Sequence, residues 1–560
     1  MASVTRTDIV QEDTSGFETV AALTVGLSAL LFALALAALF QFVSISDTVA
    51  GLGTPALLGA VLVLAGLTVS ALGTASYTGA YQTTARASAG LVAASLFGLI
   101  WFTIGGLVAS QTLGLGSPLW QVAALLVGAG GFALAGFPPE DIGSTLPAGA
   151  LAVFLGGVLL VGAIGPDWSW APASFPSSQQ VTFLPGIVVP MAVLFSALVV
   201  GWAAAKAYGG FGARGRHLGA YMLIYLNAGA IITTLFGLVA FVFMKGFAPM
   251  TRGFEFGLGV GPATHLAFAL VIPFADVRLF EVGYTVVWPV SWPFVMNGVS
   301  IFNEINGIWP AIIGTVWLVI GATVMAVPLG VGSAIFLTEY AERGRFTKVV
   351  EVATNALWST PSIVFGLFGA AFLVPRFTPE PQRSLLAGML TLGFMLLPLV
   401  VITARESMLA VPDEYRDASA ALGVSKWKTI RSVVLPTAMP GIVTGVILGV
   451  GRIAGETAPL LLTMAGPTLP RAGSAVKVIN NFQLSLSPPF ITNPELTQAT
   501  ASLPLQLWQI ILTGTGETSG IEDIDAFGWG TALVLLLVVL SFYAIGIATR
   551  QYFRSKLKYE

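Results

Sequence analysis

Three groups of residues in the 560-residue chain have the type and spacing to handle a charged solute or a moving partner. Arg452 and Glu456 stand four apart in an apolar run, the separation that puts two side chains on one face of a helix, here near the middle of a span. A guanidinium offers five N–H donors in a planar fork that suits a tetrahedral oxyanion. Burying it in hydrocarbon costs roughly 2.5–3.5 kcal/mol on insertion scales, so it faces a partner or a water-filled path. The same spacing also describes a structural ion pair that only holds two helices together. Ser359, Thr360 and Ser362 surround Pro361 inside another apolar run. Proline removes a backbone donor, and the hydroxyls beside it either repair the freed carbonyl or turn to a solute, as at the amino ends of broken transporter helices. The third group is Arg416–Pro436, RDASAALGVSKWKTIRSVVLP, which places five charges in a chain only 9% charged and returns at once to apolar sequence.

The spacing within 409–435 predicts two short helices lying across a membrane surface. Pro412, Asp413 and Glu414 suit a helix start, because proline tolerates the first turn and acids favour the positive end of the dipole. Gly423 can stop the first helix in a left-handed conformation, Ser425 can cap the second, and Pro436 is expected to end it. Two helices at a tight glycine turn make a rigid knob. It can fill a groove on another protein and pass displacement to the spans on either side; an ordinary amphipathic surface loop is the alternative.

The elements that must position these residues are membrane helices. Hydrophobic residues make up 56% of the sequence and mean hydropathy is +0.86, far from the balance of a soluble domain. Twelve stretches reach the roughly 20 residues needed to cross a bilayer: 19–43, 55–76, 89–110, 118–137, 145–165, 181–205, 218–244, 309–338, 349–375, 384–403, 437–465 and 530–549. The short alternating segments of a β-barrel are absent from this pattern. Basic residues collect after alternate spans, at Lys206, Arg214 and Arg216, at Arg343, Arg345 and Lys348, and at Arg550, Arg554, Lys556 and Lys558. This predicts a multi-pass protein of the cell membrane with both termini cytoplasmic. The acidic pair Glu140 and Asp141 fits that count less well. The acids Asp8, Glu12, Asp13 and Glu18 before the first span do not resemble a cleaved leader.

With no cysteine and two distant histidines, the sequence offers no disulfide framework and no metal cluster. A net charge of −2 advertises no nucleic acid partner. None of the eight lysines follows a glycine, so the GK[ST] of a phosphate-binding P-loop is absent. The Gly-rich, basic stretch Lys206–His217 divides six spans joined by short loops from a second half. That half carries two long external segments, 245–308 and 466–529, where a soluble partner could dock. Gly445, Gly449, Gly451 and Gly455 allow close helix approach, including across a subunit interface.

The cassette resembles the EAA loop of ABC-importer permeases. Asp417-Ala418-Ser419 stands at its start, with Asp for the usual Glu and Ser for the second Ala, Gly423 follows six positions on, and Val433-Val434-Leu435-Pro436 closes it. STPSIVFGLFG (359–369), LLAGMLTLGFMLLPLVVITARE (385–406), GRIAGETAPLLL (451–462) and LPLQLW (503–508) are similar to segments of PstA-type permeases of phosphate importers. The resemblance covers roughly 218–560 and not the first 215 residues. It implies an all-α polytopic membrane protein of about twelve helices: a MetI-like, type I permease core at 216–560, with its coupling loop at 409–436, preceded by an additional six-helix membrane region at 1–215.

The function so implied is that of a transmembrane permease subunit of an ATP-driven importer for inorganic phosphate. Asp417, Ala418, Gly423, Leu435 and Pro436 would serve ATPase coupling, and Arg452, Glu456, Ser359, Thr360 and Ser362 would line the substrate pathway. The implied partners are a second, PstC-like permease subunit, two PstB-like ATPase subunits and an external PstS-like phosphate-binding protein. No cofactor is expected in this chain, ATP being used by the partner subunit. Permeases for molybdate, tungstate or sulfate share the loop, and a secondary transporter or membrane sensor would work without an ATPase. An intramembrane enzyme is disfavoured, because no nucleophile–base pair stands within the spans.

Overall fold

The computed structural model describes residues 16–559 apart from 50, 86, 172–181, 273–276, 301, 343, 378–381, 467–468, 485–490, 514–520 and 522. Asp8, Glu12, Asp13 and Arg343 lie outside the described residues. Among the described residues eleven helices are long and apolar enough to cross a membrane, and a bent helix pair brings the number to twelve if the pair is counted as one broken span. The chain divides into two compact units, Met1–Phe241 and Val242–Glu560.

The first unit contains α1 (Gly16–Leu39), α2 (Thr54–Tyr77), α3 (Leu91–Leu107), α4 (Leu119–Gly136), α5 (Glu140–Leu160), α6 (Pro185–Tyr208) and most of α7 (Gly212–Thr251). Helix α1 packs on α6, α2 on α5 and α3 on α4. The α2–α5 pair is antiparallel and close because glycines recur every seventh residue on both faces. A Cβ at Gly59 would lie 2.6 Å from Gly156 O, and one at Gly66 would lie 2.7 Å from Gly149 O, so only glycine permits this approach.

Three loops meet at one end of this unit. Glu140 N–H donates to Ala87 O (2.7 Å) and Thr84 N–H to Gly210 O (3.0 Å). The acidic pair that fitted the charge count poorly is thereby accounted for. Glu140 is buried between Lys206 (2.5 Å) and Arg216 (3.2 Å), and Asp141 accepts from Ser76 Oγ (3.0 Å) and Ile142 N–H (2.8 Å). Both acids also stand in the first turn of α5, where the helix dipole favours them.

The second unit opens, after α7 ends at Thr251, with a hairpin of Ala263–Ile272 and Val277–Val287 and the short α8 (Pro293–Met296). The segment expected to leave the helix at 245 therefore stays helical for about two further turns. Next come α9 (Trp309–Ile335), extended by a π turn at Phe336–Tyr340, α10 (Arg345–Ser359), α11 (Ser362–Phe368), a second π turn at Gly369–Leu373, and α12 (Val374–Phe377). They are followed by α13 (Leu385–Leu409), α14 (Asp413–Ala421), α15 (Lys426–Thr429), a π turn at Ile430–Val434, α16 (Leu435–Ala454), α17 (Ala458–Thr463), α18 (Leu503–Thr513) and α19 (Ile524–Tyr559). Helix α13 is the most buried of the membrane-crossing helices and supports α9, α10 and α16. Ser384 caps it, its Oγ accepting from Ala387 N–H at 3.1 Å.

Three expectations are corrected. The ninth span, 349–375, is not one helix: α10 and α11 meet at 102°. Pro361 forces Thr360 into extended backbone (φ −68°, ψ 134°), and a helix cannot continue through it. The eleventh span does not run to 465, because α16 stops at Ala454 and Gly455–Thr457 turn the chain before α17. Nor does Pro436 end the cassette's second helix. Residues Lys426–Ala454 form one continuous span of 29 residues. Pro436 stands in the first turn of α16, directly after the Ile430–Val434 π turn, whose wider bonding pattern accommodates a residue without an N–H.

Candidate functional site

The two helix breaks of the second unit lie side by side. At the first, Pro361 has no N–H and Thr360 N–H turns to Leu357 O (3.2 Å), so the carbonyl of Ala356 is left to accept from Ser359 Oγ and Thr360 Oγ1, both at 2.9 Å. These hydroxyl protons are used for repair, and only lone pairs remain to face a solute. Ser362 opens α11, and its hydroxyl makes no hydrogen bond among the described residues. At the second break, Gly455 N–H bonds back to Arg452 O (3.2 Å) and Glu456 N–H to Ile453 O (3.3 Å), closing α16. Beyond the breaks α11 packs on α17, and a Cβ at Gly366 would lie 2.6 Å from Pro459 Cα.

Arg452 joins the two breaks. It stands in the last turn of α16 rather than at mid-span, and Glu456 follows the helix instead of sharing its face. The guanidinium carbon sits 4.3 Å from the ring centroid of Trp358, the residue before Ser359. Its Nε is 3.7 Å from Glu456 Oε1, a loose ion pair, and no described residue accepts a hydrogen bond from its five donors. The side chain is 37% exposed. An arginine held by an aromatic face, with its N–H fork unspent, can take an oxyanion in the plane of the guanidinium while the ring shields one side. Arg452 makes no hydrogen bond to Ser359, Thr360 or Ser362. Trp358 is the contact that sequence reasoning missed, although it directly precedes the Ser-Thr-Pro-Ser run.

The cassette forms a knob. Helix α14 begins at Asp413, and Gly423 adopts φ +70°, the left-handed turn its position called for. Gly423 N–H bonds to Ala420 O (2.9 Å) and Val424 N–H to Ser419 O (3.1 Å). Ser425 precedes α15 with extended backbone, but it is its carbonyl, not its hydroxyl, that serves the helix start, accepting Thr429 N–H at 2.9 Å. Asp417, Ala418 and Gly423 are exposed, Leu435 and Pro436 are half-buried, and Ser419 is buried, where a small side chain is needed. Tyr415, Leu422 and Trp427 are exposed on the same knob.

A joint behind the knob was not legible beforehand. Arg416 donates through Nε and Nη2 to Glu339 Oε1 (3.2 and 2.9 Å), through Nη2 to Met408 O (3.0 Å), and through Nη1 to Val411 O (2.8 Å) and Asp413 Oδ1 (3.1 Å). One side chain thus ties the end of α9, the end of α13 and the start of α14.

The fold and these sites define a multi-pass, predominantly helical membrane protein with an ABC-importer permease core of the MetI-like type, preceded by six further membrane helices. Residues 326–492 match the family described as binding-protein-dependent transport system inner membrane component. The phosphate transport system permease protein PstA of Haemophilus influenzae is 33% identical over 254 residues, covering 45% of this chain and 78% of the relative. PstA 1 of Mycobacterium tuberculosis is 42% identical over 171 residues, 30% of this chain, and the chain spans about half (55%) of that relative's length. The probable ABC transporter permease protein YqgI of Bacillus subtilis is 32% identical over 254 residues, covering 45% of this chain and 81% of the relative. Among solved structures, a chain of the MetNI methionine ABC transporter in inward facing conformations is similar at 14% identity and a TM-score of 0.30, covering 43% of this chain and 93% of that one. The chain belongs to the PstA-type group of the binding-protein-dependent transport permease family.

Proposed function

We propose that the chain is the permease subunit of an ATP-driven importer for inorganic phosphate. It works beside a second, PstC-like permease subunit, two PstB-like ATPases and an external PstS-like binding protein. The observation that carries the reading is Arg452, an arginine with unspent donors at the meeting of two broken helices, in a chain several of whose relatives are named as phosphate permeases. Both termini and the knob face the cytoplasm, where ATPase closure displaces the knob and switches the spans between outward and inward access. ATP hydrolysis belongs to the partner subunit. Ser362, with its free hydroxyl, and Glu456 complete the pathway around Arg452. Residues 1–215 form an added region, and 216–560 the transport core.

The test is uptake of radiolabelled phosphate at matched membrane abundance. Arg452→Lys keeps the charge and loses the fork, and is expected to assemble yet transport poorly. If Arg452 only partners Glu456, Arg452→Gln combined with Glu456→Gln restores uptake, because no charge is left unpaired. We expect no such rescue, and near wild-type transport by the double variant would reduce the two residues to a structural pair.

A further inference from the structure

The first unit contains a groove of about 380 Å³ between the start of α3, the end of α6 and the start of α7. Its walls include Leu96, Phe97, Trp202 and Leu223, and two cations, Lys206 and Arg216, stand in its lining. From Arg216 to Leu223 is seven residues of helix, so the groove runs about 10 Å inward from the basic turn, within the roughly 15 Å half-thickness of a bilayer core.

The two cations are not equivalent. Lys206 is buried, with Nζ donating to Ser144 Oγ (2.8 Å), paired with Glu140 (2.5 Å) and lying 4.5 Å from the Trp202 ring centroid. Its donors are spent. Arg216 is 53% exposed and gives only Nη1, to Glu140 Oε2 at 3.2 Å. Its other N–H groups have no acceptor among the described residues. One carboxylate is shared between two cations, while Asp141 is engaged by Ser76 and Ile142 and makes no described contact with either cation. An unspent arginine fork at the polar mouth of an apolar groove is complementary to a ligand with an anionic phosphate head and a hydrocarbon tail.

We infer that this groove is a binding site for one anionic phospholipid, its phosphate on Arg216 and an acyl chain along Leu96, Phe97 and Leu223. The site lies wholly within Met1–Phe241 and does not depend on which solute the chain carries.

The test is native mass spectrometry of the full chain, delipidated in detergent and offered equal amounts of phosphatidylglycerol and phosphatidylcholine. The wild type is expected to retain one phosphatidylglycerol in preference. Arg216→Gln is expected to lower that retention about tenfold. Arg214→Gln, a neighbouring exposed cation outside the groove lining, is expected to leave it unchanged. Ala220→Trp, which fills the groove from α7 one turn beyond Arg216, should lose both lipids. Excess inorganic phosphate should not displace the lipid. Equal retention of the two lipids, equal effects of the two arginine changes, undiminished binding by Ala220→Trp, or displacement by free phosphate would each overturn the assignment.

Discussion

Arg416 offers the sharpest perturbation of the joint between knob and spans. Its five hydrogen bonds reach Glu339, which is 7% exposed, and the carbonyls of Met408 and Val411 at the end of α13, while Arg416 itself is 21% exposed. Removing one partner of a buried ion pair costs about 3–5 kcal/mol, and the partial exposure of Arg416 lowers this to about 2–3 kcal/mol. Lysine keeps the charge but is a single point with three donors and cannot span Glu339 and two carbonyls together. Since 1.4 kcal/mol is a factor of ten, Arg416→Lys is expected to reduce phosphate uptake and substrate-stimulated ATP hydrolysis together by more than tenfold, with membrane abundance unchanged. A double-mutant cycle with Arg416→Gln and Glu339→Gln measures the pair directly. A coupling of about 1.5 kcal/mol or more in detergent stability is expected. Additive effects, or normal uptake by Arg416→Lys, would show that the joint does not hold the knob.

Two further outcomes follow from the knob itself. Gly423→Val is expected to uncouple transport from ATP hydrolysis without preventing assembly: no atom lies within 4 Å of the added Cβ, so the cost of about 1–2 kcal/mol is purely that of the left-handed backbone, and Gly423→Asn should be tolerated. Because the chain has no cysteine, Ser425→Cys is a clean accessibility probe, and a membrane-impermeant thiol reagent should label it only from the cytoplasmic side.

The membrane helices were legible because hydrocarbon imposes length and apolarity on a crossing, and each of the first six expected spans overlaps a helix from α1 to α6. Gly423 was legible for a similar reason, since few residues accept its backbone conformation. The joins between helices were harder to read. Composition scores a proline-broken pair and a straight span alike, so 349–375 read as one crossing, and the stretch from Gly455 to Pro459, although it carries helix-stop residues, lies between apolar runs that read as a single span. Contacts made across the sequence left no periodic trace. Arg416 and Glu339 are 77 positions apart, and Trp358 and Arg452 are 94 apart, so chain topology alone brings them together. Glu140 and Asp141 stand at the start of an apolar span, and an ionisable residue placed there calls for a partner, which for Glu140 is the Lys206 and Arg216 pair.

The continuous span Lys426–Ala454 carries the knob's second helix at one end and Arg452 near the other, about 40 Å away at 1.5 Å per residue. Its lateral position is set by α13, where Gly441 faces Ser407, Gly445 faces Thr403 and Gly449 faces Leu396. Helix α13 also supports α10 and hence Trp358, so the α13–α16 spacing governs the 4.3 Å gap between Trp358 and Arg452. A methyl at Gly445 would overlap both Oγ1 and Cβ of Thr403. The hydroxyl can rotate away but the Cβ cannot, so the helices must part by about 1 Å, a cost of about 1–3 kcal/mol for overpacking. Gly445→Ala is therefore expected to impair uptake at matched abundance, and adding Thr403→Gly should restore it by moving the glycine from one helix to the other at little change in helix propensity. Thr403→Gly alone leaves a cavity and should lower stability more than transport. If Gly445→Ala transports normally, or if the double variant is as impaired as the single one, the spacing of these helices does not control the arginine site.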